Sequence, residues 1–151
     1  MISIRRVNPS EADALSQIAL SAKMHWGYPE HWMELWMTEL TFDAKYFEAN
    51  ESWAADVDGR PVAFYTLLDK DAVAWQENLW VMPEYMSRGI GRMLFHHSVN
   101  LARRRGYKIF QLEADPNAAG FYEKMGMHKV AERKYKLDDQ FRNLPLMEMK
   151  L

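Results

Sequence analysis

The spacing of apolar residues along the chain alternates between a period of two and a helical period, which predicts a protein of mixed α and β structure. Strand-like patterns bounded by turn residues are found in the stretches 2–7, 52–57, 61–68, 73–82, 108–114, 129–136 and 146–151. The pair Asp58-Gly59, between the second and third stretches, is typical of a hairpin turn. The pattern therefore predicts an antiparallel meander followed by further strands.

Helical spacing marks the segments between these strands. A helix start is predicted at Asn8-Pro9, because a capping residue followed by proline in the first turn is common there. The segment 91–105 predicts a second helix that ends at Gly106. The tryptophan-rich segment 24–50 predicts one or two more helices, and 117–125 predicts a short one.

The order strand, helix, strand across residues 73–114 is typical of a crossover between parallel strands, whereas the earlier strands are expected to pair antiparallel. No internal repeat, low-complexity tract or linker interrupts the chain. We therefore expect one α+β domain over residues 1–151, built around a mixed sheet.

The composition narrows the chemistry that is possible. The 151 residues include no cysteine, which excludes a disulfide scaffold, a thiolate zinc site and a cysteine nucleophile. The net charge of -2 gives no indication of nucleic-acid binding. The first residues lack the apolar core of a signal peptide, and no apolar run approaches the ~20 residues of a membrane helix. We expect a cytoplasmic protein that binds neither nucleic acid nor a membrane.

The segment MSRGIGR, residues 86–92, connects a predicted strand to a predicted helix start. Backbone amides at a helix N-terminus are unpaired and partly positive, and glycine lets such a backbone approach a bulky anion. The segment is therefore either a tight turn or a phosphate or pyrophosphate cradle, with Arg88 or Arg92 adding charge. The P-loop pattern is absent, and the dinucleotide fingerprint requires a third glycine where Leu94 stands.

Residues 79–95, LWVMPEYMSRGIGRMLF, resemble the acyl-CoA-binding segment of the GNAT acetyltransferases, in which a strand and V-x-P-E precede [RQ]-x-x-G-x-[GA] at a helix start. The resemblance implies that backbone amides here hold the CoA pyrophosphate. It assigns cofactor binding to Met86, Ser87, Arg88, Gly89, Ile90, Gly91 and Arg92. Met86 stands where the family usually has Arg or Gln, so Arg88 is a candidate for supplying that charge.

Residues 115–127, DPNAAGFYEKMGM, resemble the second GNAT motif in the shortened form that some members have. The resemblance implies that Tyr122 lies near the CoA sulfur and gives a proton to the departing thiolate. A phenol with a pKa near 10 is chemically suited to this step. The alternative is a buried aromatic ring beside Phe121. Asn117 is assigned to the cofactor site and is also a candidate helix cap.

The resemblance covers nearly the whole chain, since HWGY at 25–28 and LPLM at 144–147 also resemble one subset of GNAT proteins. It implies a single α/β domain with a mixed central sheet of six to seven strands, helices on both faces and a splay at the acyl-CoA site. It further implies acetyl-CoA as co-substrate, no metal, and an amine of a small molecule or peptide as acceptor. GNAT proteins are often homodimers, and the residues leave the oligomeric state open.

Glu77 is the candidate general base, because a glutamate on this strand has that role in many members of the family. Strand alternation places Glu77 with Trp75, Leu79 and Val81, and a carboxylate on such an apolar face is expected to be buried with a raised pKa. A solvated glutamate is the alternative. The resemblance also implies that the backbone of Leu79, Trp80 and Val81 pairs with the pantetheine arm, with one amide holding a developing oxyanion.

Aromatic residues crowd the segment after the first helix, a region from which GNAT proteins often build the acceptor site. Aromatic rings bind cationic amines through their faces. The candidate acceptor-binding residues are His25, Trp26 and Tyr28. Trp32 and Trp36 are four residues apart on one helix face, which favours a role in the core. The pair His96-His97 is interpreted as part of a helix surface.

Two functions follow from these residues. The first is an N-acetyltransferase that acts by direct transfer in a ternary complex, with Glu77 as base and Tyr122 as acid. The second is a catalytically silent acyl-CoA-binding sensor or interaction domain of the same fold. The presence of both Glu77 and Tyr122 favours the enzyme.

Overall fold

Seven strands form one sheet in the computed structural model, which describes residues 1–151. The strands are β1 (Ile2–Arg6), β2 (Ser52–Val57), β3 (Arg60–Lys70), β4 (Val73–Val81), β5 (Ile109–Glu113), β6 (His128–Leu137) and β7 (Gln140–Lys150). Their order across the sheet is β1-β2-β3-β4-β5-β7-β6. Strands β4 and β5 pair in parallel, and all other neighbours pair antiparallel. The expected mixed sheet is confirmed.

Five α-helices connect these strands. They are α1 (Ala12–Met24), α2 (Glu30–Trp36), α3 (Ala44–Ala49), α4 (Ile90–Arg104) and α5 (Ala119–Lys124). Helix α4 joins β4 to β5 and so forms the crossover that the order of elements predicts. Helices α2 and α3 occupy the tryptophan-rich segment, as expected.

The chain enters α1 through a capped turn. The side chain of Asn8 accepts a hydrogen bond of 3.0 Å from the backbone two residues later, and the Glu11 carboxylate accepts one of 2.9 Å from the Asn8 N–H. Arg5 on β1 donates hydrogen bonds to Glu11 and to Asp56 on β2. This arrangement fixes the start of the helix against two strands of the sheet.

The sheet separates two apolar cores. Phe64 and Tyr65 are adjacent on β3 and both fully buried, but Phe64 packs with α1 residues such as Leu15, whereas Tyr65 packs with α4 residues such as Leu94. Strand residues alternate between faces, so consecutive buried residues on β3 require cover on both sides of the sheet. Helices therefore lie on both faces, as the family resemblance implies.

Strand β4 departs from regular pairing at two places. Thr66 on β3 is opposite Asn78, but the next residue, Leu67, is opposite Gln76, so Glu77 is an extra residue in a β-bulge. On its other edge β4 pairs with β5 only at the positions of Ala74 and Trp75. The two strands consequently separate from Gln76 onward, which gives the splay that the resemblance implies.

Some expectations about local structure are wrong. Helix α5 begins at Ala119 and its cap position is Ala118, so Asn117 does not cap it. Instead, the backbone and side-chain amides of Asn117 both donate to Asp115, because this corner is an Asx turn that precedes the helix. Strand β7 begins at Gln140, well before residue 146, because its first residues pair with β6 in a hairpin at the edge of the sheet.

His97 also differs from its interpretation as a surface residue. Its Nδ1 lies 2.7 Å from the hydroxyl of buried Tyr65, and its ring packs at a tilt against Trp53 with centroids 4.7 Å apart. Burial, followed by the charge of Arg104, lowers the pKa of His97. The residue is therefore a neutral packing partner between α4 and the sheet.

Candidate active site

A cleft of about 530 Å³ opens where β4 and β5 separate. Most of the predicted site residues line it. These are His25, Trp26, Glu77, Leu79, Trp80, Val81, Met86, Ser87, Gly89, Gly91, Arg92, Asn117 and Tyr122. Three predicted residues do not line it, namely Tyr28, Arg88 and Ile90. The fold thus brings residues of the two sequence motifs together in one cleft.

The loop before α4 presents backbone amides to this cleft. Its φ angles are 63° at Ser87 and 83° at Gly89, and glycine adopts such an angle without strain. No side chain caps the N-terminus of α4. The N–H groups of the first helical turn are therefore open, and together with the helix dipole they form an environment suited to an anion.

Side chains around this loop divide into those that reach the cleft and those that do not. Arg92 is exposed and lines the cleft, so it can add positive charge there. Arg88 instead lies over the ring of Tyr85, 5.1 Å from its centroid. Ile90 is buried in the core and can contribute only its backbone. Arg92 is therefore better placed than Arg88 to supply the charge absent at Met86.

Tyr122 lies in the wall of the cleft formed by α5. It is 8% exposed and packs edge-on against Phe121 and at a tilt against Phe95, with centroids 5.1 and 5.9 Å away. Burial raises the pKa of the phenol well above its ordinary value, while the neighbouring polar side chain of Gln76 acts in the opposite direction. The phenol is thus held protonated at neutral pH, in a position that is both part of the core and open to the cleft.

Gln76 is a site residue that the sequence reasoning missed. It is almost fully buried, and its side-chain carbonyl Oε1 has no hydrogen-bond partner. A buried carbonyl without a hydrogen bond lowers stability by on the order of 1–3 kcal/mol. A ligand group that donates a hydrogen bond to Oε1 would remove this cost. The sequence did contain a signal, a polar residue in the middle of an apolar strand. The neighbouring Glu77 was predicted as a site residue instead.

Glu77 lies at the cleft but is not buried. Its side chain is 41% exposed and forms an ion pair of 3.7 Å with Lys70. Trp75 lines only a second, adjoining cleft, whereas Leu79 and Val81 line the first. The prediction that Glu77 shares an apolar face with all three is wrong, because the bulge at Glu77 breaks the alternation that the prediction assumed.

The second cleft, of about 420 Å³, lies beyond the splay. Five residues line both clefts: Gln76, Glu77, Trp80, Glu113 and Asp115. The clefts therefore meet between the ends of β4 and β5. Aromatic side chains and charged groups of both signs form the walls of the second cleft.

The predicted acceptor residues are separated by the fold. His25 and Trp26 are exposed and line the first cleft, with ring centroids 5.2 Å apart. Tyr28 packs between Trp32 and Trp36, with centroids 5.9 and 5.0 Å away. Trp36 is buried, in agreement with its predicted core role. The aromatic segment thus contributes to the core and to the rims of both clefts.

Beside Tyr28 lies a polar cluster that the sequence did not reveal. Asp115 accepts hydrogen bonds from Lys23 at 2.9 Å and from the Tyr28 hydroxyl at 2.8 Å. Arg142 from β7 donates one of 2.9 Å to the same hydroxyl, and so does Asn117. Burial, together with the hydrogen bond and charge of Asp115, raises the pKa of Tyr28 to about 12. The cluster joins three parts of the chain that are distant in sequence, at residues 23–28, 115–117 and 142.

Two opposing effects, burial and the charge of the partner, set the pKa values of Lys23 and Asp115. Burial lowers the pKa of Lys23, and Asp115 only partly restores it. Burial acts to raise the pKa of Asp115, but the charge and hydrogen bond of Lys23 outweigh it, so this pKa lies below its ordinary value. Asp115 is therefore ionised at neutral pH.

The protein has neither a cluster of metal-ligating side chains nor a membrane-spanning helix. No group of three or more His, Cys, Asp and Glu side chains is placed to hold a metal ion. None of the helices has the length and apolar character needed to cross a membrane. The Nε2 atom of His31 lies 3.1 Å from a carboxylate oxygen of Asp138, in the turn between β6 and β7.

Comparison with known proteins points to one family. Residues 18–127 match the model of the acetyltransferase (GNAT) family. The peptidyl-lysine N-acetyltransferase YjaB of Salmonella typhimurium is 30% identical over 99% of this chain and 97% of its own length. Matches to two other curated relatives span only 56% and 42% of their lengths.

Solved structures agree with this result. The GCN5-related N-acetyltransferase of Rhodopseudomonas palustris superimposes with a TM-score of 0.84, at 24% identity over 99% of this chain and 95% of the other. The PaiA N-acetyltransferase of Thermoplasma acidophilum, solved in complex with coenzyme A, has a TM-score of 0.80 at 20% identity, over 100% of this chain and 99% of the other. At these identities the likeness establishes the fold.

Proposed function

Because the chain belongs to the GNAT acetyltransferase family and is thus an acyl-CoA-dependent N-acetyltransferase, we propose that it transfers the acetyl group of acetyl-CoA to a primary amine of a small molecule or peptide. Transfer is direct, in a ternary complex. The observation that carries this proposal is the uncapped amide end of α4, which opens onto the same cleft as the Tyr122 phenol.

The first cleft accounts for the binding of acetyl-CoA. The amides from Met86 to Gly91 hold the pyrophosphate, with Arg92 adding positive charge. Strand β4 beyond Trp75 has no strand partner on the side of β5, so its main-chain groups at Leu79 and Val81 are available to an extended ligand. The pantetheine arm lies along this edge and brings the thioester to the junction of the clefts.

The chemistry requires a proton to leave the amine and another to reach the sulfur. Acetyl-CoA supplies an activated thioester carbonyl, and the amine nitrogen forms the new C–N bond as the C–S bond breaks. Glu77, at the junction, takes the proton from the amine directly or through water. Tyr122 gives its phenolic proton to the departing thiolate, and a β4 amide stabilises the charge on the carbonyl oxygen.

Support for these roles comes from position and protonation. Glu77 lines both clefts, so it can contact an acceptor in one and a thioester in the other. The raised pKa of Tyr122 keeps the phenol protonated and therefore able to donate. Gln76 lines the same cleft as Tyr122 and affects the Tyr122 pKa, so we assign it the role of orienting the hydroxyl.

An amine-dependent assay tests this proposal. Purified protein is incubated with acetyl-CoA and with polyamines, amino acids or lysine-containing peptides, and free thiol is measured. We expect release of CoA thiol only with a suitable amine, and an acetylated product by mass spectrometry. Binding of acetyl-CoA without turnover on any amine would instead favour the silent sensor.

A further inference from the structure

The second cleft contains charged groups of both signs, and most of them neutralise each other. Arg133 forms an ion pair with Glu113 at 3.2 Å, and Lys70 forms one with Glu77 at 3.7 Å. Glu39 is exposed at the edge of the cleft, forms no ion pair, and acts on Lys23 only through its charge. These groups leave one part of the cleft in which positive charge exceeds negative charge.

That part is formed by Lys23 and Arg142, which share a single carboxylate. Lys23 lies 2.9 Å from Asp115, and Arg142 lies 3.8 Å from the same oxygen. Both cations are largely buried, with side chains 11% and 12% exposed. Asp115 is the one carboxylate that pairs with these two buried cations, and Glu39 acts on Lys23 only through its charge, without an ion pair. The positive charge of the pair is therefore incompletely compensated, which costs free energy unless a further anion is bound.

The donors of Arg142 are available to such an anion. A guanidinium carries five N–H donors, and Arg142 uses one of its nitrogens in a hydrogen bond to Tyr28. The planar group lies near the rings of Tyr28 and Trp36, each with its centroid 5.0 Å away. A fixed guanidinium with free donors is suited to paired hydrogen bonds with a carboxylate.

We propose that Lys23 and Arg142 form an anion subsite in the second cleft, and that the amine acceptor carries a carboxylate which this subsite binds. The identification of the ligand as an acceptor rests on the proposed acetyltransferase function. Asp115 contacts both cations and lines both clefts, so the subsite is one side chain away from the junction. The amine and the carboxylate are therefore separated by a short spacer, as in a free amino acid. A peptidyl lysine side chain has no such carboxylate near its amine.

Paired probes test this inference without relying on turnover. L-α-amino acids, β-alanine and 4-aminobutyrate are each compared with the matching carboxamide, which keeps the amine but removes the negative charge. Binding is followed by tryptophan fluorescence, because Trp36, Trp75 and Trp80 line the cleft. The titrations use both the free protein and its complex with CoA. We expect at least one carboxylate to bind about tenfold or more tightly than its carboxamide.

Substitutions test which residues cause the preference for the carboxylate over the carboxamide. Arg142→Met is expected to remove the preference for the carboxylate, Lys23→Met to reduce it, and Arg142→Lys to retain part of it. Arg133→Gln is the matched control, since Arg133 lines the same cleft but is paired with Glu113, and here the preference is expected to stay. If Arg142→Met does not fold, Lys23→Met and Arg142→Lys carry the same comparison.

Two results would overturn the inference. One is that no carboxylate binds better than its carboxamide to the unmodified protein. The other is that the substitutions at Arg142 and Lys23 weaken both members of a pair equally. Failure of the proposed function is seen separately, as the absence of CoA binding, and does not affect the comparison in the free protein.

Discussion

The indole Nε1 of Trp75 donates a hydrogen bond of 2.7 Å to the carboxylate of Glu77, two residues further along β4. This bond holds Glu77 on the side of the second cleft, away from Leu79 and Val81, which face the first. The bulge at Glu77 makes this possible, because it adds one residue to β4 and reverses the alternation beyond it. The proposed base is therefore directed to where an acceptor amine would lie.

Replacement of this base tests that placement. Glu77→Gln is expected to lower kcat about 100-fold near neutral pH, since general-base catalysis contributes about 10²–10⁴-fold. The loss is expected to shrink at high pH, where the amine is already neutral. The measurement is kcat over pH 6 to 10 for both proteins, with Glu48→Gln as the control, since Glu48 is exposed and lines neither cleft. If Glu77→Gln lowered kcat by the same factor at every pH, the base would be a different residue.

Tyr122→Phe separates catalysis from binding. Loss of the phenolic proton is expected to lower kcat about 100-fold, while the affinity for acetyl-CoA changes little because the ring still packs against Phe121. Since the pKa of Tyr122 is raised, the unmodified enzyme should not lose activity through its ionisation below about pH 10. A large loss of acetyl-CoA affinity in the variant would make Tyr122 a binding or packing residue.

Gln76 is expected to show opposite effects on stability and activity. Gln76→Leu removes a buried carbonyl that has no partner, so the variant should be as stable as the parent or about 1 kcal/mol more stable. Its kcat should fall, because Tyr122 loses the amide that orients it. Thermal unfolding and initial rates measure the two effects. A clear loss of stability would show that the amide is satisfied in the free protein.

The contact between Arg5 and Glu11 predicts that the stability of the protein decreases at acidic pH. Chiefly the hydrogen bond from Arg5 lowers the pKa of Glu11 below its unfolded value. The stabilisation is thus complete above about pH 4.5 and is lost as the pH falls through the folded pKa. Glu11→Gln should therefore be less stable than the parent at pH 7, and this difference should shrink toward pH 2. Urea unfolding at several pH values measures it, and Glu123→Gln, which is exposed, is the control.

Local signals predicted most of the fold. The hairpin at Asp58-Gly59, the start at Asn8 and the helix between β4 and β5 each follow from residues within a few positions of one another. The same holds for the glycine loop, because its φ of 83° at Gly89 is a property of the local backbone. These features require no knowledge of distant contacts.

The site was predicted less completely, for two physical reasons. A bulge depends on the pairing of β3 with β4, so the face of Glu77 could not be read from alternation in β4 alone. The cluster around Asp115 joins Lys23 and Arg142 from opposite ends of the chain. Charged residues at such separations give no periodic signal, and only the folded sheet brings them together.

The central claim, that the amide end of α4 binds acetyl-CoA, is tested most directly by calorimetric titration. Gly89→Glu places a negative side chain at the cradle. Gly106→Glu is a matched control, since Gly106 also has a φ of 83° and no neighbouring atom within 4 Å but does not line the cleft. We predict micromolar binding to the parent and to Gly106→Glu, and none to Gly89→Glu. Absence of binding to the parent, or equal binding to all three folded proteins, would contradict the claim.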